Sequence, residues 1–410
     1  MPLLGFTVRN HKSIRDEITL DLTRPSLRTL RPRDDDWNGV TYPLAGVFGA
    51  NATGKSSVLD ALRYTFSAIS QSATAWQASK GMRRAPFRLD GSVRTASSTY
   101  ELDFVHAGHR HAYGFEVDHD GIRREWLRDV PGSRWRTLLD RDRDTGVLKF
   151  HPSLRGRIDV TGRELVLSRA LLFNESSLHT IARELVDRFD CVLVKDSPRE
   201  ARLRDIADSL AEGTITFPDV EALLQVAGIG VDGVSLEETE TPKEVRRHLA
   251  FPHRGSADER PQFSIHEESD GTIAWLATAV PAVEALRKGG LLIVDEIDSS
   301  LHPHLLEVLL GAFADPAVNT RQAQLIFTSH ESYILSPLSD VKLEPEQVWF
   351  TDKTYDGVTE LTCLADFPRH PDANVARRYL AGRYGGTPHL SPSTLTALIV
   401  SGEDRGSGPP

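Results

Sequence analysis

Apolar and polar positions fall into three registers along the chain, and each predicts a different element. Period-two alternation covers residues 3–10 and 18–22, predicting two strands joined by a polar turn at 11–16. The same alternation returns in five short runs, 100–106, 111–118, 122–129, 135–140 and 147–150, separated by the turn signals AGHR, HDG, PGS and RDTG. That spacing predicts an antiparallel β meander. Helical spacing of apolar residues covers 55–69, 273–286 and 303–313, with Pro303 suited to a first helical turn. Unbroken short apolar runs at 43–48, 291–294 and 324–328 predict strands buried on both faces, the mark of a parallel sheet.

Between about 164 and 252 the pattern turns mostly helical, with 177–194, 197–210 and 217–226 the clearest helices, and predicts an inserted helical lobe. A short strand at 263–266 and a closing hairpin of 347–351 with 357–362 complete the elements. Residues 401–410, rich in Gly, Ser and Pro, predict a disordered tail. The expected architecture is α/β: a mostly parallel core sheet, an antiparallel meander and an inserted helical lobe. It divides the chain into 1–160, 161–260, 261–400 and the tail.

Composition narrows this picture. With 410 residues, 40% of them hydrophobic, the chain can bury a sizeable core in two or three lobes. A net charge of −10 argues against a nucleic-acid footprint over the whole molecule. Residues 122–143 nevertheless carry seven arginines against four acids, interleaved with Trp126 and Trp135. A strand face with solvated charges is favoured there over a nucleic-acid surface, and Asn10, His11 and Lys12 are likewise expected in a solvated turn. Two cysteines, Cys191 and Cys363, make neither a disulfide framework nor a zinc site. No apolar run approaches a membrane span and the N-terminus has no secretory pattern, so a cytoplasmic protein without membrane association is expected.

The candidate chemistry begins where the run at 43–48 stops. Gly49, Gly54, Lys55 and Ser56 fit G-x-x-x-x-G-K-[ST], between a strand and a helix as that loop requires. Backbone N–H groups and the helix dipole make the loop a cradle for a polyphosphate, with Asn51 and Ser57 as further contacts. Lys55 would reach the β and γ phosphates and the Ser56 hydroxyl would sit on Mg²⁺. The run at 291–294 ends in Asp295 and Glu296. Asp295 is expected to hold the Mg²⁺ and Glu296 to polarise the attacking water. Asp298, Ser299 and Ser300 form the next turn. His302 and His304 flank Pro303 without further metal ligands nearby, so a structural role is expected. His330 follows the strand at 324–328, on the ligand side of such a sheet, where it can donate to the γ-phosphate. Ser269, Asp270, Gly271 and Thr272 open the helix at 273–286 as an N-cap that can also present hydroxyls and free N–H groups to an anion.

In this order, residues 49–56, 269–272, 291–296, 298–300 and 328–330 resemble the Walker A, signature, Walker B, D-loop and switch-histidine motifs of ABC-type ATPase heads in the SMC and RecF group. More narrowly, PFRLDG at 86–91, DEIDSSLHP from Asp295 and YLAGRYGGTP at 379–388 look like the AAA-type ATPases of bacterial anti-phage and abortive-infection operons, the group of RloA and AriA. The resemblance implies an ABC-type P-loop ATPase head that binds and hydrolyses ATP with Mg²⁺. It implies a homodimer or higher homo-oligomer with ATP sandwiched between heads, Ser269 and Gly271 of one facing the phosphate held by Lys55 of the other. Thr272 and Asp298 belong to the same contact. No glutamine stands out as the family's Q-loop residue. About sixty residues follow the helix after Glu331, too few for a Toprim nuclease, so a toxin or nuclease would be a separate effector subunit. The expected role is a nucleotide-driven dimerisation switch, the sensor of an anti-phage system. The alternative is a RecF/SMC-like repair ATPase with DNA as partner; a transporter's energising subunit is disfavoured by the weak signature match.

Overall fold

The computed structural model describes residues 1–387 and 393, apart from 80, 155–157, 175, 194–198, 229–230, 232, 241–244, 254–260, 265–266 and 369–373. The expected tail at 401–410 and the end of the expected strand at 263–266 lie outside the described residues.

Three apolar runs, joined by three further strands, form a six-stranded sheet in the order Thr359–Cys363, Val348–Lys353, Leu44–Phe48, Gln324–Ser329, Leu291–Asp295 and Phe189–Leu193. Four of its five pairings are parallel, and only Thr359–Cys363 runs against its neighbour. Leu44–Phe48, Leu291–Asp295 and Gln324–Ser329 are buried at every position, which is why their sequences show no alternation. Their carboxyl ends therefore open on one side, where the phosphate loop leaves the first and the acidic pair leaves the second.

The second sheet is antiparallel and seven-stranded. Ile18–Asp21 and Leu3–Arg9 continue the meander of Ser98–His106, His109–Val117, Ile122–Asp129, Arg136–Asp142 and Val147–Phe150. Helix Lys55–Gln71 lies between the two sheets. Val58, Leu62 and Phe66 join one core with Phe6, Tyr100 and Phe115 of the meander and Ile293 and Ile326 of the parallel sheet. Burying side chains of this kind stabilises by about 1.5–3 kcal/mol each, so the helix carrying the phosphate loop is clamped on two faces. Helices Asp270–Lys288 and Pro303–Ala314 pack on the opposite face of the parallel sheet through Leu276, Val280, Leu306 and Leu310.

The structure corrects three expectations. The helix expected over 177–194 ends at Asp187, and Phe189–Leu193 becomes the edge strand of the core sheet. Phe189 stacks on Phe66 at 3.9 Å and pairs in register with Leu291, contacts that outweigh a continued helical pattern. The region 164–252 is consequently not a purely helical lobe, because Ser235–Glu240, Val245–Pro252 and Gln262–Ser264 also form a three-stranded antiparallel sheet. Oppositely charged cross-strand pairs such as Glu238 and Arg247, 2.9 Å apart, support that hairpin in place of apolar alternation.

The meander's charged face is largely solvated, as expected, with Arg123, Arg124, Arg136 and Arg143 partly exposed. The meander's arginines are largely engaged by its own carboxylates: Arg123 with Asp144 at 2.8 Å, Arg136 with Asp129 and Arg143 with Asp118, each at 2.5 Å. Arg141 is buried against Glu125, which is wholly buried and also accepts from Tyr113 and the backbone of Val166 and Leu167. The third correction concerns Asn10 and His11, which are buried in place of the expected solvated turn. Among the described residues, no helix is long and apolar enough to cross a membrane.

Candidate functional site

The loop between Leu44–Phe48 and Lys55–Gln71 is held in a shape that only its glycines permit. Gly54, the N-cap of the helix, has φ +113°, and a Cβ there would run into the side chain of Thr359. A Cβ at Gly49 would run into Thr351. The two strands beside the loop thus press on it from one side. Lys55 is buried, and its Nζ donates to the carbonyl oxygens of Gly49 at 2.7 Å and Ala50 at 3.0 Å while lying 3.1 Å from His330 Nδ1. Asn51, Gly54, Lys55, Ser56 and Ser57 line a cavity of about 310 Å³ together with Glu296 and His330. Gly49 and Asn51 open on an adjoining cavity of about 990 Å³, which Glu296 and His330 also border.

The neighbouring strands deliver the acidic groups to the same point. Asp295 is buried and its Oδ1 accepts from the Ser56 hydroxyl at 3.2 Å and from the Thr328 hydroxyl at 2.6 Å. The Thr328 Oγ1 in turn accepts from the Glu296 N–H at 2.7 Å. One threonine therefore fixes both the carboxylate of residue 295 and the backbone of residue 296. Glu296 has φ +52°, a conformation that costs a non-glycine residue about 1–2 kcal/mol and turns its side chain off the strand end. Its Oε1 lies 3.6 Å from His330 Nε2. Asp298 accepts from the His330 backbone N–H at 3.2 Å, so the acidic turn also sets the histidine. A hydroxyl and a carboxylate meeting under a glycine-rich cradle are hard oxygen donors of the kind Mg²⁺ takes.

Ser269, Gly271 and Thr272 border neither cavity. Ser269 caps helix Asp270–Lys288, its Oγ accepting from the Thr272 N–H at 3.1 Å and lying 2.8 Å from Thr272 Oγ1. Gly271 lies against the carbonyl oxygen of Ser300. The segment at 269–272 thus sits beside the acidic turn of its own chain rather than on its own phosphate loop. His302 caps the following helix and His304 bonds Glu307 at 3.0 Å, which are structural roles.

Sequence reasoning missed three contributors. Thr328 was read as a strand residue and as the start of the 328–330 run, but not as the brace of the acidic pair. Lys353, whose Nζ donates to the Ala52 carbonyl at 3.1 Å, comes from the hairpin. The run at 379–387 folds onto the phosphate loop, Gly386 accepting from the Ala50 N–H at 2.5 Å. Its Gly and Tyr content was visible, but its destination was not.

Residues 44–336, well over half of the chain, match the family described as "AAA domain, putative AbiEii toxin, Type IV TA system". The chain belongs to this family. The match takes in the glycine loop, the acidic strand end and the histidine after Ser329, and stops before the hairpin strands that carry Thr351 and Thr359. Among solved structures, the AAA domain is similar to an SMC head bound to the C-winged helix domain of ScpA, with 15% identity over 88% of this chain and 97% of that one and a TM-score of 0.47. It is also similar to an SMC head with an extended coiled coil bound to the C-terminal domain of ScpA from Pyrococcus furiosus, at 13% identity over 88% and 96% and a TM-score of 0.42. No curated protein matches.

Proposed function

We propose that this AAA domain binds and hydrolyses ATP and works as a nucleotide-driven dimerisation switch. The observation that carries the reading is the meeting of Lys55, Ser56, Glu296 and His330 at one cavity on the carboxyl side of the parallel sheet, with Asp295 bonded to Ser56 behind it. In this reading Lys55 exchanges the carbonyls of Gly49 and Ala50 for phosphate oxygens. Ser56 and Asp295 would hold Mg²⁺, and the ion would supply positive charge against the phosphates. Glu296 accepts a proton from the attacking water, and His330, set by Asp298, donates to the terminal phosphoryl group.

The position of Ser269 and Gly271 beside Ser300, away from their own phosphate loop, supports a composite site. The same segment of a second copy would close over the terminal phosphate, with Thr272 and Asp298 at the seam. The family's association with toxin–antitoxin systems supports the further reading of a sensor or regulatory subunit in anti-phage defence that controls a separate toxin or nuclease effector. Engagement of the meander arginines by their own carboxylates weighs against the DNA-clamp reading.

Glu296→Gln tests the assignment. The variant is expected to retain ATP, to run as a dimer in light scattering when ATP and Mg²⁺ are present, and to lose at least a hundredfold in turnover. Phosphate release at the wild-type rate would remove Glu296 from the proton-transfer role. Lys55→Ala is expected to bind no nucleotide and to stay in the nucleotide-free oligomeric state.

A further inference from the structure

The segment from Tyr379 to Thr387 lies far from the phosphate loop in sequence and against it in space. The Gly386 carbonyl accepts from the Ala50 N–H at 2.5 Å. Gly386 has φ +66°, and a Cβ on it would come within 2.8 Å of the Thr351 carbonyl oxygen and 3.2 Å of the Gly49 Cα. Only glycine lets two backbones approach so closely. The Tyr379 hydroxyl reaches the Gly386 carbonyl at 3.5 Å. The segment is anchored by rings: Tyr384 stacks on Phe350 at 5.0 Å and Tyr379 on the same ring at 5.3 Å, while the Arg378 guanidinium lies over Tyr384. Its outer side, Leu380 to Gly382 with Thr387, walls the cavity of about 990 Å³ that Glu296 and His330 face.

Ala50 is thus gripped from two directions, its N–H by Gly386 and its carbonyl by Lys55 and Thr53. When a phosphate takes the protons of Lys55, the Thr53 hydroxyl still donates to the Ala50 carbonyl at 2.9 Å from within the loop, and Gly386 ties the Ala50 N–H to a segment outside it. The geometry points to the 379–387 segment as a positioning strap: it keeps the start of the phosphate loop in its nucleotide-binding shape while Lys55 changes partners, with Gly386 as the residue on which this depends. The inference rests on the ATP reading above and adds to it a role for the 379–387 run outside the nucleotide-binding motifs.

Gly386→Ala puts a methyl group into the gap and an unfavourable φ under it, with no change at any residue touching the phosphates. The thermal midpoint without nucleotide is expected to stay within a few degrees of wild type, since the ring anchors remain. The rise in midpoint on adding ADP and Mg²⁺ is expected to shrink, and affinity for a fluorescent ADP analogue to fall at least tenfold. In steady state KM should rise more than kcat falls. Arg383→Ala, on the exposed face of the same turn, is the control expected to leave all of these unchanged.

Wild-type affinity and an unchanged nucleotide-induced shift in a folded Gly386→Ala protein would overturn the strap. Should that variant not fold, hydrogen exchange on the wild-type chain decides. Slowed exchange of 382–387 together with 50–54 on adding ADP and Mg²⁺ supports the strap, and slowing of 50–54 alone overturns it. A wild-type chain that binds no ADP or ATP at all would instead strike the underlying ATP reading.

Discussion

At the scale of single residues, Thr328 and His11 show how little of a site's support lies in its motif. The Thr328 hydroxyl donates to Asp295 and accepts from the Glu296 N–H. Thr328→Val keeps the shape and removes both bonds, leaving the buried Asp295 carboxylate with the longer Ser56 contact and taking the Thr328 acceptor from the Glu296 N–H. A loss of about 1–3 kcal/mol in stability is expected by denaturant titration. Turnover should drop by more than tenfold as the acidic pair loosens, and a variant with wild-type turnover would show that Asp295 and Glu296 need no such brace. His11 sits under the phosphate-loop helix, with Nε2 2.8 Å from Asp60 and Nδ1 2.8 Å from the Tyr100 hydroxyl. Burial pushes its pKa below the usual 6.5, outweighing the pull of Asp60. Asp60, although burial opposes it, is held well below the usual carboxylate range by hydrogen bonds from His11, Arg63 and Lys12. For a histidine with a depressed folded pKa the unfolded chain binds more protons, so stability is complete above 6.5 and declines as pH falls beneath it. Asp60 adds a second loss at lower pH. Thermal midpoints are expected to fall from pH 7 to pH 5 in wild type, and His11→Gln should flatten that slope; equal slopes would rule out His11 as its source.

At the scale of elements, the phosphate loop is shaped by segments that sequence order does not place beside it. The hairpin strand Thr359–Cys363 fills the space next to Gly54 with Thr359, whose hydroxyl donates to the Thr53 carbonyl at 2.9 Å. Two separate constraints act on Gly54: the neighbouring side chain and its own φ of +113°. Gly54→Ala is expected to lose nucleotide binding by calorimetry, and Thr359→Ala added to it should not restore binding, because the backbone strain remains. Restoration would show that crowding alone imposes the glycine. The strand Phe189–Leu193 makes the complementary point. Helical spacing of its apolar residues was legible, yet pairing with Leu291–Asp295 and stacking on Phe66 supply interactions that no window of local sequence contains. The meander, whose alternation is set by one buried face, was legible strand by strand.

At the scale of the whole molecule, charge separates the two functional readings. The net charge of −10 and the ion pairs of Arg123, Arg124, Arg136, Arg141 and Arg143 leave the meander a self-neutralised surface. Changing Arg123, Arg124 and Arg128 together to alanine is expected to leave any binding to duplex DNA, and its salt slope, as in wild type. A steep salt dependence that disappears in the triple variant would favour the DNA-clamp reading instead.

Local sequence was enough to set which residues could make a phosphate loop, a buried strand ending in two acids and a histidine-ended strand, because those patterns depend on backbone conformation and burial within a few positions. The tertiary structure alone decided that Thr328 braces the acids, that the arginines spend their charge internally and that the 379–387 run lies on the phosphate loop. Each of these joins groups from distant parts of the chain, and only the packed core sets how far apart they come to rest.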